Sequence, residues 1–492
     1  MIGQRILNIV AEQGERPALI NHGQCISYAE FADSALRFAA ALQPFTGTNP
    51  PYPLGIQLPN ASDYAIVVTA LLILGVPILT VNPQWGPDEV SNALGGLPIT
   101  GFLTSDPGLS RWKDSTLMAT IPVLGLETLK TLGKQALPLD QSERGHVVPA
   151  DHPALYLMTS GTTGMAKPVV RSQYNLLANA HNVGQALGWL PGHRVLPVTP
   201  FHHANGFSNG LLLPLLSGSC IVTLEQFFPA RLLQILRETP VDTIIASPVV
   251  YRALLASDSG CEALGSLRQA LSSGAPLTED LADQVARQTG LCIRELYGSS
   301  ESGTVTIEPE RKLGEPRNVG IPIPGVELAI LSVDGEHLPA GEAGHIAVQS
   351  QALMQGYWTP SGIEPARTEH GWYLMGDTGF IDHQGELHLQ GRTRTFINVG
   401  GNKINPKEIE SVINGITGVI HSRVQGYVNK RGREEIHALI TIHPSSGLTR
   451  IDLINQMRCQ LSEYKLPQRI ELQHPNRSAL PVKGSDVIQD CF

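Results

Sequence analysis

Several marks of common protein classes are absent from this chain of 492 residues. Basic residues form no long run and the net charge is −9, which excludes the electrostatic footprint of a nucleic-acid-binding protein. The six cysteines lie far apart, without CxxC or zinc-type spacing, and therefore predict mostly buried, reduced thiols in a cytosolic protein. The whole chain is 42% hydrophobic and 16% charged, a composition typical of a globular protein with a large core.

The N-terminal segment lacks the long apolar centre and the small-residue cleavage site of a signal peptide, and its pattern predicts an amphipathic helix. Residues 64–81 form an uncharged run that is nearly long enough to span a bilayer. Gly75 and Pro77 divide this run, so we predict a helix to about Leu74, a turn and a buried strand rather than a membrane span.

The length of the chain predicts about two to four domains. Through the first three-quarters, apolar β-type runs alternate with helical patterns, which predicts parallel sheets covered by helices. After about Val319, short strands and Gly/Pro/Asp turns predict a small antiparallel β region. After Arg392, the pattern predicts an α+β domain of roughly 100 residues, with one helix over residues 450–466.

The segment TSGTTGMAKP, residues 159–168, concentrates hydroxyls and glycines before Lys167. Its spacing is not that of a Walker A P-loop, because the lysine does not directly follow a glycine. A strand-like run enters the segment and a helical pattern leaves it, which predicts that backbone N–H groups, hydroxyls and Lys167 hold a phosphate. Taken alone, the segment is also compatible with an ordinary solvent-exposed loop.

Four further motifs follow in order: SSGAP (272–276), YGSSES (297–302), WYLMGDTGFID (372–382) and GRTRTFINVGG (391–401). With the glycine loop, they resemble the adenylate-forming superfamily of acyl- and aryl-CoA ligases, luciferases and peptide-synthetase adenylation domains, over almost the whole chain. This resemblance implies activation of a carboxylate by ATP to an acyl-AMP, followed by transfer to a thiol. It also implies Mg²⁺ and, as acceptor, either CoA or the phosphopantetheine of an acyl carrier protein.

The resemblance further implies an α/β fold in two parts. The large N-terminal domain, residues 1–391, would contain β-sheets with flanking helices plus a small β-barrel-like region. A hinge at residues 392–394 would connect it to a small mobile α+β C-terminal domain, residues 395–492. In the family this domain rotates between the two half-reactions, and the hinge position falls on Arg394, where an acidic residue or lysine is more usual.

The same resemblance assigns roles to residues of the N-terminal domain. Tyr297 would pack on adenine, Ser300 would lie near the phosphate, and Glu301 would act in catalysis by helping to hold Mg²⁺, although alone it reads as a solvated loop carboxylate. Asp377 and Arg392 would contact the ribose. The other nucleotide-binding residues that the resemblance implies are Thr159, Ser160, Gly161, Thr162, Thr163, Gly164, Lys167, Gly274, Ala275, Pro276 and Gly298.

In the C-terminal part, Gly400 and Gly401 would face the active site during thioester formation, where a side chain would obstruct the pantetheine arm. The family's catalytic lysine near the C-terminus falls on Lys483 by its spacing from Pro467. Val482 stands where a glycine is usual, and Pro168 replaces the glycine that usually follows the loop lysine. A surface lysine near a frayed terminus is the alternative reading of Lys483.

The resemblance assigns the segment from Phe201 to Gly218 to one wall of the acyl pocket, with His203 as a catalytic residue and as the gate between the pocket and the active site. It also implies that Asn205, Gly206 and Gly298 bind the substrate. Amino-acid-activating members place an aspartate in this segment, and none is present here. We therefore expect an acyl or aryl carboxylate as substrate. The aromatic content of 5% does not distinguish an aryl from an aliphatic pocket.

Three functions stay open at this point. A carboxylate–CoA ligase and a stand-alone enzyme that loads a carrier protein share every motif above. The basic residues at 429–434 favour CoA if they bind its phosphate, but they also fit a charged hairpin tip. The departure at Val482 favours a non-catalytic nucleotide-binding module, whereas the presence of Lys167, Glu301 and Asp377 argues against one.

Overall fold

The structure is a computed structural model. It describes residues 2–47, 50–94, 96–112, 121–140, 148–158, 167–311, 318–366, 368–392, 397–400, 402–429, 432–443 and 446–473. The chain divides into two compact units, one comprising Met1–Thr395 with Gly400–Asn402 and the other Phe396–Val399 with Lys403–Phe492.

Helices and strands alternate through most of the first unit. The α-helices are α1 Ile2–Gln13, α2 Tyr28–Thr46, α3 Ser62–Leu74, α4 Pro87–Leu94, α5 Asp106–Trp112, α6 Leu126–Gln135, α7 Gln173–Leu187, α8 Leu213–Leu216, α9 Pro229–Glu238, α10 Pro248–Leu255, α11 Asp258–Gly265, α12 Glu279–Thr289, α13 Pro406–Asn414 and α14 Arg450–Arg458. A π-helical segment spans Gly206–Leu212, and a 3₁₀ turn spans Glu463–Lys465.

The strands are β1 Pro17–Asn21, β2 Gln24–Ser27, β3 Leu54–Gln57, β4 Ile78–Thr80, β5 Gly101–Thr104, β6 Val123–Gly125, β7 Pro153–Leu157, β8 Val169–Ser172, β9 Arg194–Pro197, β10 Cys220–Val222, β11 Thr243–Ala246, β12 Gln269–Ser272, β13 Ile293–Ser299, β14 Gly303–Ile307, β15 Ile321–Pro322, β16 Val326–Leu331, β17 Gly344–Ser350, β18 Gly356–Thr359, β19 Gly362–Pro365, β20 Thr368–Glu369, β21 Trp372–Ile381, β22 Leu387–Arg392, β23 Ile397–Val399, β24 Asn402–Ile404, β25 Val419–Val428, β26 Glu434–Ile442 and β27 Arg469–Gln473.

Two large sheets form the body of the first unit. In the described residues, one has the strand order β19-β18-β8-β7-β4-β3-β5-β6 and the other has the order β15-β14-β13-β12-β11-β9-β10-β1-β2. In the second sheet the run from β1 through β13 is parallel, and its strands β11 and β12 are almost wholly buried, as expected between helical layers. Because β12 and β13 are parallel, the turns that follow them lie at the same edge of the sheet.

A third, antiparallel sheet joins β16, β17, β21 and β20, with β22 paired to β21. It confirms the antiparallel region predicted after Val319. In the second unit, β25 pairs antiparallel and β27 parallel with β26, and α13 and α14 belong to the same unit. Its core includes Ile409, Ile436 and Leu453, each fully buried. The α/β fold class with a smaller α+β part is therefore confirmed.

The apolar run at residues 64–81, which Gly75 and Pro77 divide, folds as predicted. Helix α3 is buried almost all round, ends at Gly75 in the left-handed conformation, and is followed by the buried strand β4. The predicted N-terminal helix is α1, whose buried residues include Ile2 and Ile6. Among the helices that the structure describes, none has both the length and the apolar character that a membrane crossing requires.

The helix predicted after the glycine loop is confirmed as α7, Gln173–Leu187, but two details of the local predictions are wrong. The chain does not pass from the glycine loop directly into a helix, because β8 intervenes and pairs antiparallel with β7 and β18. The fully buried Val169 and Val170 favour this strand, which gains ladder hydrogen bonds on both sides. The single helix predicted over residues 450–466 ends at Arg458, because the N–H of Cys459 bonds to the carbonyls of Gln456 and Met457 and tightens the last turn.

Candidate active site

The first feature of the site is a hydrogen bond between two sheets. The hydroxyl of Tyr297, on β13, donates to Oδ2 of Asp377, on β21, at 2.8 Å. Both side chains are buried, with exposed fractions of 7% and 6%. Arg392 is the register partner of Asp377 on β22, and only its backbone is described. The structure thus brings together the residues that the resemblance assigned to adenine and ribose.

A tight turn follows Tyr297 and carries Ser300 and Glu301. Ser299 and Ser302 close it reciprocally: each backbone N–H donates to the other hydroxyl, at 3.1 and 3.2 Å. Gly303 ends the turn with φ of 72°, and a Cβ there would collide with Oδ1 of Asn179. The turn is therefore held in one conformation by its own side chains and by α7.

The carboxylate of Glu301 has a defined hydrogen-bond partner. The Tyr357 hydroxyl donates to its Oε1 at 2.8 Å. Burial, followed by the neighbouring Glu301, raises the pKa of Tyr357 far above its ordinary value, so the phenol stays protonated and donates. Among the described residues, Oε2 accepts no hydrogen bond. Mg²⁺ prefers oxygen ligands such as a carboxylate, so Glu301 fits the metal role that the resemblance implies.

A buried cation lies near Glu301. Arg171, on β8, is fully buried and its Nη2 donates to the carbonyl of Ala352 at 2.7 Å. Within the described part of the chain, its Nε and Nη1 have no hydrogen-bond acceptor. Burial lowers the pKa of Arg171 to about 10, and Glu301 opposes this shift. The guanidinium therefore remains charged at neutral pH and supplies a countercharge to Glu301.

The turn after β12 contains Gly274, Ala275 and Pro276. Gly274 has φ of 84°, while a Cβ there would meet no atom within 4 Å. Backbone conformation rather than crowding therefore requires glycine, and the open space beside Gly274 is compatible with a flat ring. The turn is anchored at its end, where the N–H of Leu277 donates to Oε1 of the buried Glu295 at 3.4 Å.

His203 precedes the π-helical segment Gly206–Leu212. A π-helix is rare in proteins overall, but where it occurs it often lies at a functional site. The centre of the His203 ring lies 4.3 Å from that of the His202 ring, and the two rings are tilted by 42°. Burial, and then the neighbouring His203, lower the pKa of His202 well below its usual range, so His202 is neutral. A Cβ at Gly206 would collide with the carbonyl of Pro200, so the tight approach of these segments requires glycine.

A chain of buried and half-buried amides connects residues 205–209 with the Gly274 turn, α7 and β14. Asn205 donates to the Ser273 hydroxyl at 2.6 Å, and Asn209 donates to Oδ1 of Asn205 at 2.7 Å. Asn179, on α7, donates to Oδ1 of Asn209 at 3.1 Å. Asn209 also donates to the Thr304 hydroxyl at 2.9 Å, beside the Glu301 turn. These hydrogen bonds therefore join the segment that follows His203 to the Gly274 turn, to α7 and to β14.

We expect Asn209→Leu to lower the free energy of unfolding by about 3 kcal/mol, because it removes a hydrogen-bond partner from buried groups of Asn179 and Thr304 and from the half-buried Asn205. Urea denaturation measures the change. Ser208→Ala is the matched control: the neighbouring hydroxyl is buried without a hydrogen-bond partner in the described chain, so its loss should be nearly neutral. Equal stabilities of the two variants would contradict a cooperative network.

The glycine loop is described only at its exit. Nζ of Lys167 lies 3.8 Å from Oε2 of Glu364, a half-exposed pair that contributes little to stability. The carbonyl of Pro168 accepts from the N–H of Trp358 at 2.9 Å, which links the exit of the loop to β18. Proline keeps this acceptor, so the substitution for glycine is compatible with the strand pairing.

Several predicted residues lie outside the described residues: Thr159, Ser160, Gly161, Thr162, Thr163, Gly164, Arg394, Gly401 and Lys483. Gly400 is described, in the turn between β23 and β24, with φ of 60°. Their assigned roles stay predictions.

Sequence reasoning missed Arg171, Tyr357, Asn179 and Asn209. A signal existed for the asparagines, because Asn205 and Asn209 are one helical turn apart in an otherwise apolar segment. Arg171 also interrupts a β-type run. Tyr357 gave no local signal, since its partner Glu301 is 56 residues away.

Comparison with known proteins identifies the family. A family model described as "AMP-binding enzyme" matches residues 8–358, which is most of the chain. The chain therefore belongs to the family of AMP-binding, adenylate-forming enzymes, and the resemblance read from the motifs is confirmed.

Individual relatives span nearly the whole chain. A fatty acid–[acyl-carrier-protein] ligase from Streptomyces coeruleorubidus is 25% identical over 472 residues, covering 92% of this chain and 89% of that protein. A feruloyl-CoA synthase from an Amycolatopsis species is 27% identical over 476 residues, covering 96% and 94%. The solved structure of o-succinylbenzoate CoA synthetase from Bacillus subtilis, bound to a product analogue, superposes with a TM-score of 0.86 at 24% identity, covering 97% and 95%. This last likeness confirms the fold.

Proposed function

We propose that this protein is an AMP-forming carboxylate–CoA ligase. A carboxylate oxygen attacks the α-phosphorus of ATP, the bond to the β-phosphate oxygen breaks, and pyrophosphate leaves. The thiolate of CoA then attacks the acyl carbonyl of the acyl-AMP, and AMP leaves with the bond electrons. The product is an acyl-CoA, and the substrate is an acyl or aryl carboxylate.

The observation that carries this proposal is the hydrogen bond from Tyr297 to Asp377. It joins an aromatic ring suited to adenine and a carboxylate suited to a vicinal diol, since a carboxylate offers two acceptor oxygens. Glu301 follows Tyr297 in the next turn, so one end of β13 supplies residues for adenine and the metal, and β21 supplies Asp377 for the ribose. A nucleoside triphosphate fits this arrangement.

The remaining assignments follow from charge. Attack by a carboxylate on a phosphate brings two anions together, so the transition state requires positive charge. Mg²⁺ held by Glu301 would neutralise charge on the phosphates, and Lys167 and Lys483 would add to that effect. The hinge at Arg394 would then move the C-terminal domain between the half-reactions.

The acceptor is the open choice. Loading of a carrier-protein phosphopantetheine is the alternative, favoured by the acyl-carrier-protein ligase among the relatives. CoA is favoured by the feruloyl-CoA synthase and by the basic residues at 429–434. Arg433 in this segment is exposed, and its backbone N–H donates to Oδ1 of Asn429 at 3.1 Å.

A carboxylate panel in a pyrophosphate-release assay tests the proposal. The panel contains cinnamic acids including ferulate, short to long fatty acids, o-succinylbenzoate and amino acids, each run with CoA or with a holo-carrier protein. We expect release with one acyl or aryl class, and acyl-CoA as the detected product. Acylation of the carrier alone would establish the alternative acceptor. No release with any carboxylate, although ATP binds, would indicate a non-catalytic binding module.

A further inference from the structure

The carboxylate of Glu301 is fixed by one segment of the chain. Its Oε1 accepts from the Tyr357 hydroxyl at 2.8 Å, and its backbone carbonyl accepts from the N–H of Met354 at 2.7 Å. Residues 354–357 therefore hold both the backbone and the side chain of Glu301.

Strand pairing places this segment beside the glycine loop. Tyr357 is the register partner of Val169 on β8, two residues after Lys167. The N–H of Trp358 donates to the carbonyl of Pro168 at 2.9 Å. The pairing of β8 with β18 thus sets the position of Tyr357 relative to Pro168, which follows the predicted phosphate loop.

The opposite side of the turn is also held. Nη2 of Arg171 bonds to the carbonyl of Ala352 at 2.7 Å, and a Cβ at Gly303 would approach Nη2 to 3.0 Å. The turn is consequently confined between β8 and the segment that carries Tyr357. A carboxylate held at one oxygen in a confined turn presents its other oxygen in a fixed direction.

We propose that Tyr357 is a positioning residue for the metal: its hydroxyl holds Oε1 of Glu301 so that Oε2 binds the Mg²⁺ of MgATP. This inference rests on the proposed function. Hydrogen-bond partners of metal ligands orient the ligand and reduce the reorganisation that accompanies metal binding. Tyr357 itself does not touch the nucleotide or the metal.

Tyr357→Phe tests the inference, because it removes the hydroxyl and keeps the ring. The measurement is binding of Mn²⁺, a paramagnetic substitute for Mg²⁺, by electron paramagnetic resonance in the presence of α,β-methylene-ATP, which cannot be cleaved at the α–β bond. We expect the Mn²⁺ concentration for half-saturation to rise by about tenfold or more. The affinity for the metal-free nucleotide in EDTA should stay unchanged.

Tyr28→Phe is the matched control. The Tyr28 hydroxyl also makes a buried hydrogen bond, to the carbonyl of Ser219 at 2.7 Å, but far along the chain from the site. This variant should lower the unfolding temperature and leave Mn²⁺ binding as in the parent. A merely structural role for Tyr357 predicts the same result for Tyr357→Phe, and that result would overturn the inference.

A double-mutant cycle with Glu301→Gln separates positioning from general disturbance of the turn. In the Glu301→Gln background, Tyr357→Phe should change the Mn²⁺ affinity little, because the ligand that it positions is gone. Full additivity of the two substitutions would also overturn the inference. A parent that binds Mn²⁺ with the nucleotide and releases pyrophosphate, beside an unaffected Tyr357→Phe variant, leaves the proposed function standing. A parent that neither binds Mn²⁺ with the nucleotide nor releases pyrophosphate overturns both the inference and the proposed function.

Discussion

Lys483→Ala should lower the rate of ATP–pyrophosphate exchange by about 10²–10³-fold while ATP binding persists. Under the proposed function, this lysine would contact the substrate carboxylate and the α-phosphate, where charge changes most as the new bond forms. Loss of one such contact removes stabilisation of the transition state more than of the bound ground state. Exchange kinetics and equilibrium titration with ATP measure the two effects separately.

Lys407→Ala is the control for this result, since Lys407 is an exposed lysine on α13 in the same unit of the chain. It should exchange at the rate of the parent. Parent-like exchange by Lys483→Ala would contradict the assignment and would favour a surface lysine. A parallel loss of ATP binding would instead make Lys483 a ground-state contact.

Asp377→Ala should weaken ATP binding by about 10- to 100-fold, because it removes the carboxylate that, under the proposed function, would accept from the ribose hydroxyls. Hydrogen bonds to a charged group contribute about 1.5–3 kcal/mol, and each 1.4 kcal/mol corresponds to roughly tenfold in affinity. The variant also removes the acceptor of the Tyr297–Asp377 hydrogen bond, so its stability should fall by about 1–3 kcal/mol. Calorimetric titration and urea denaturation give the two quantities.

The sharper measurement uses 2′,3′-dideoxy-ATP. The parent should bind it more weakly than ATP, whereas Asp377→Ala should no longer discriminate between the two nucleotides. Asp382→Ala, which removes a carboxylate just beyond the end of the same strand, should retain the discrimination. Retained discrimination in Asp377→Ala would show that the ribose contact lies elsewhere.

Most elements of the first unit could be predicted because their patterns are local. The apolar strand β11 is bounded by polar residues and followed by Pro248, which begins α10, and Gly75 ends α3 where the sequence places a stop. The strand β8 could not be predicted in this way. Its four residues carry no period of their own, and the strand exists because β7 and β18 supply partners on both sides.

The residues of the candidate site also divide into those that local motifs predict and those whose roles only the tertiary structure reveals. The motifs name Tyr297, Glu301 and Asp377 because each residue type suits one part of a nucleotide and because the order of the motifs identifies the family. The partners that orient them belong to no such motif, although the spacing of Asn205 and Asn209 and the position of Arg171 in a β-type run are weak local signals. The asparagine network, Arg171 and Tyr357 act through side-chain contacts between segments that are separate in sequence.

The sequence by itself determined the alternation of helices and strands, the change to short strands and turns after Val319, and the membership of an adenylate-forming family. These properties depend on periodicity, turn chemistry and motif order, which are local. Only the tertiary structure decided which groups meet. Tyr297 and Asp377 are 80 residues apart and Glu301 and Tyr357 are 56 apart, and strand pairing and register bring each pair within hydrogen-bond distance. Register is fixed by burial across whole sheets, so no short stretch of sequence contains it.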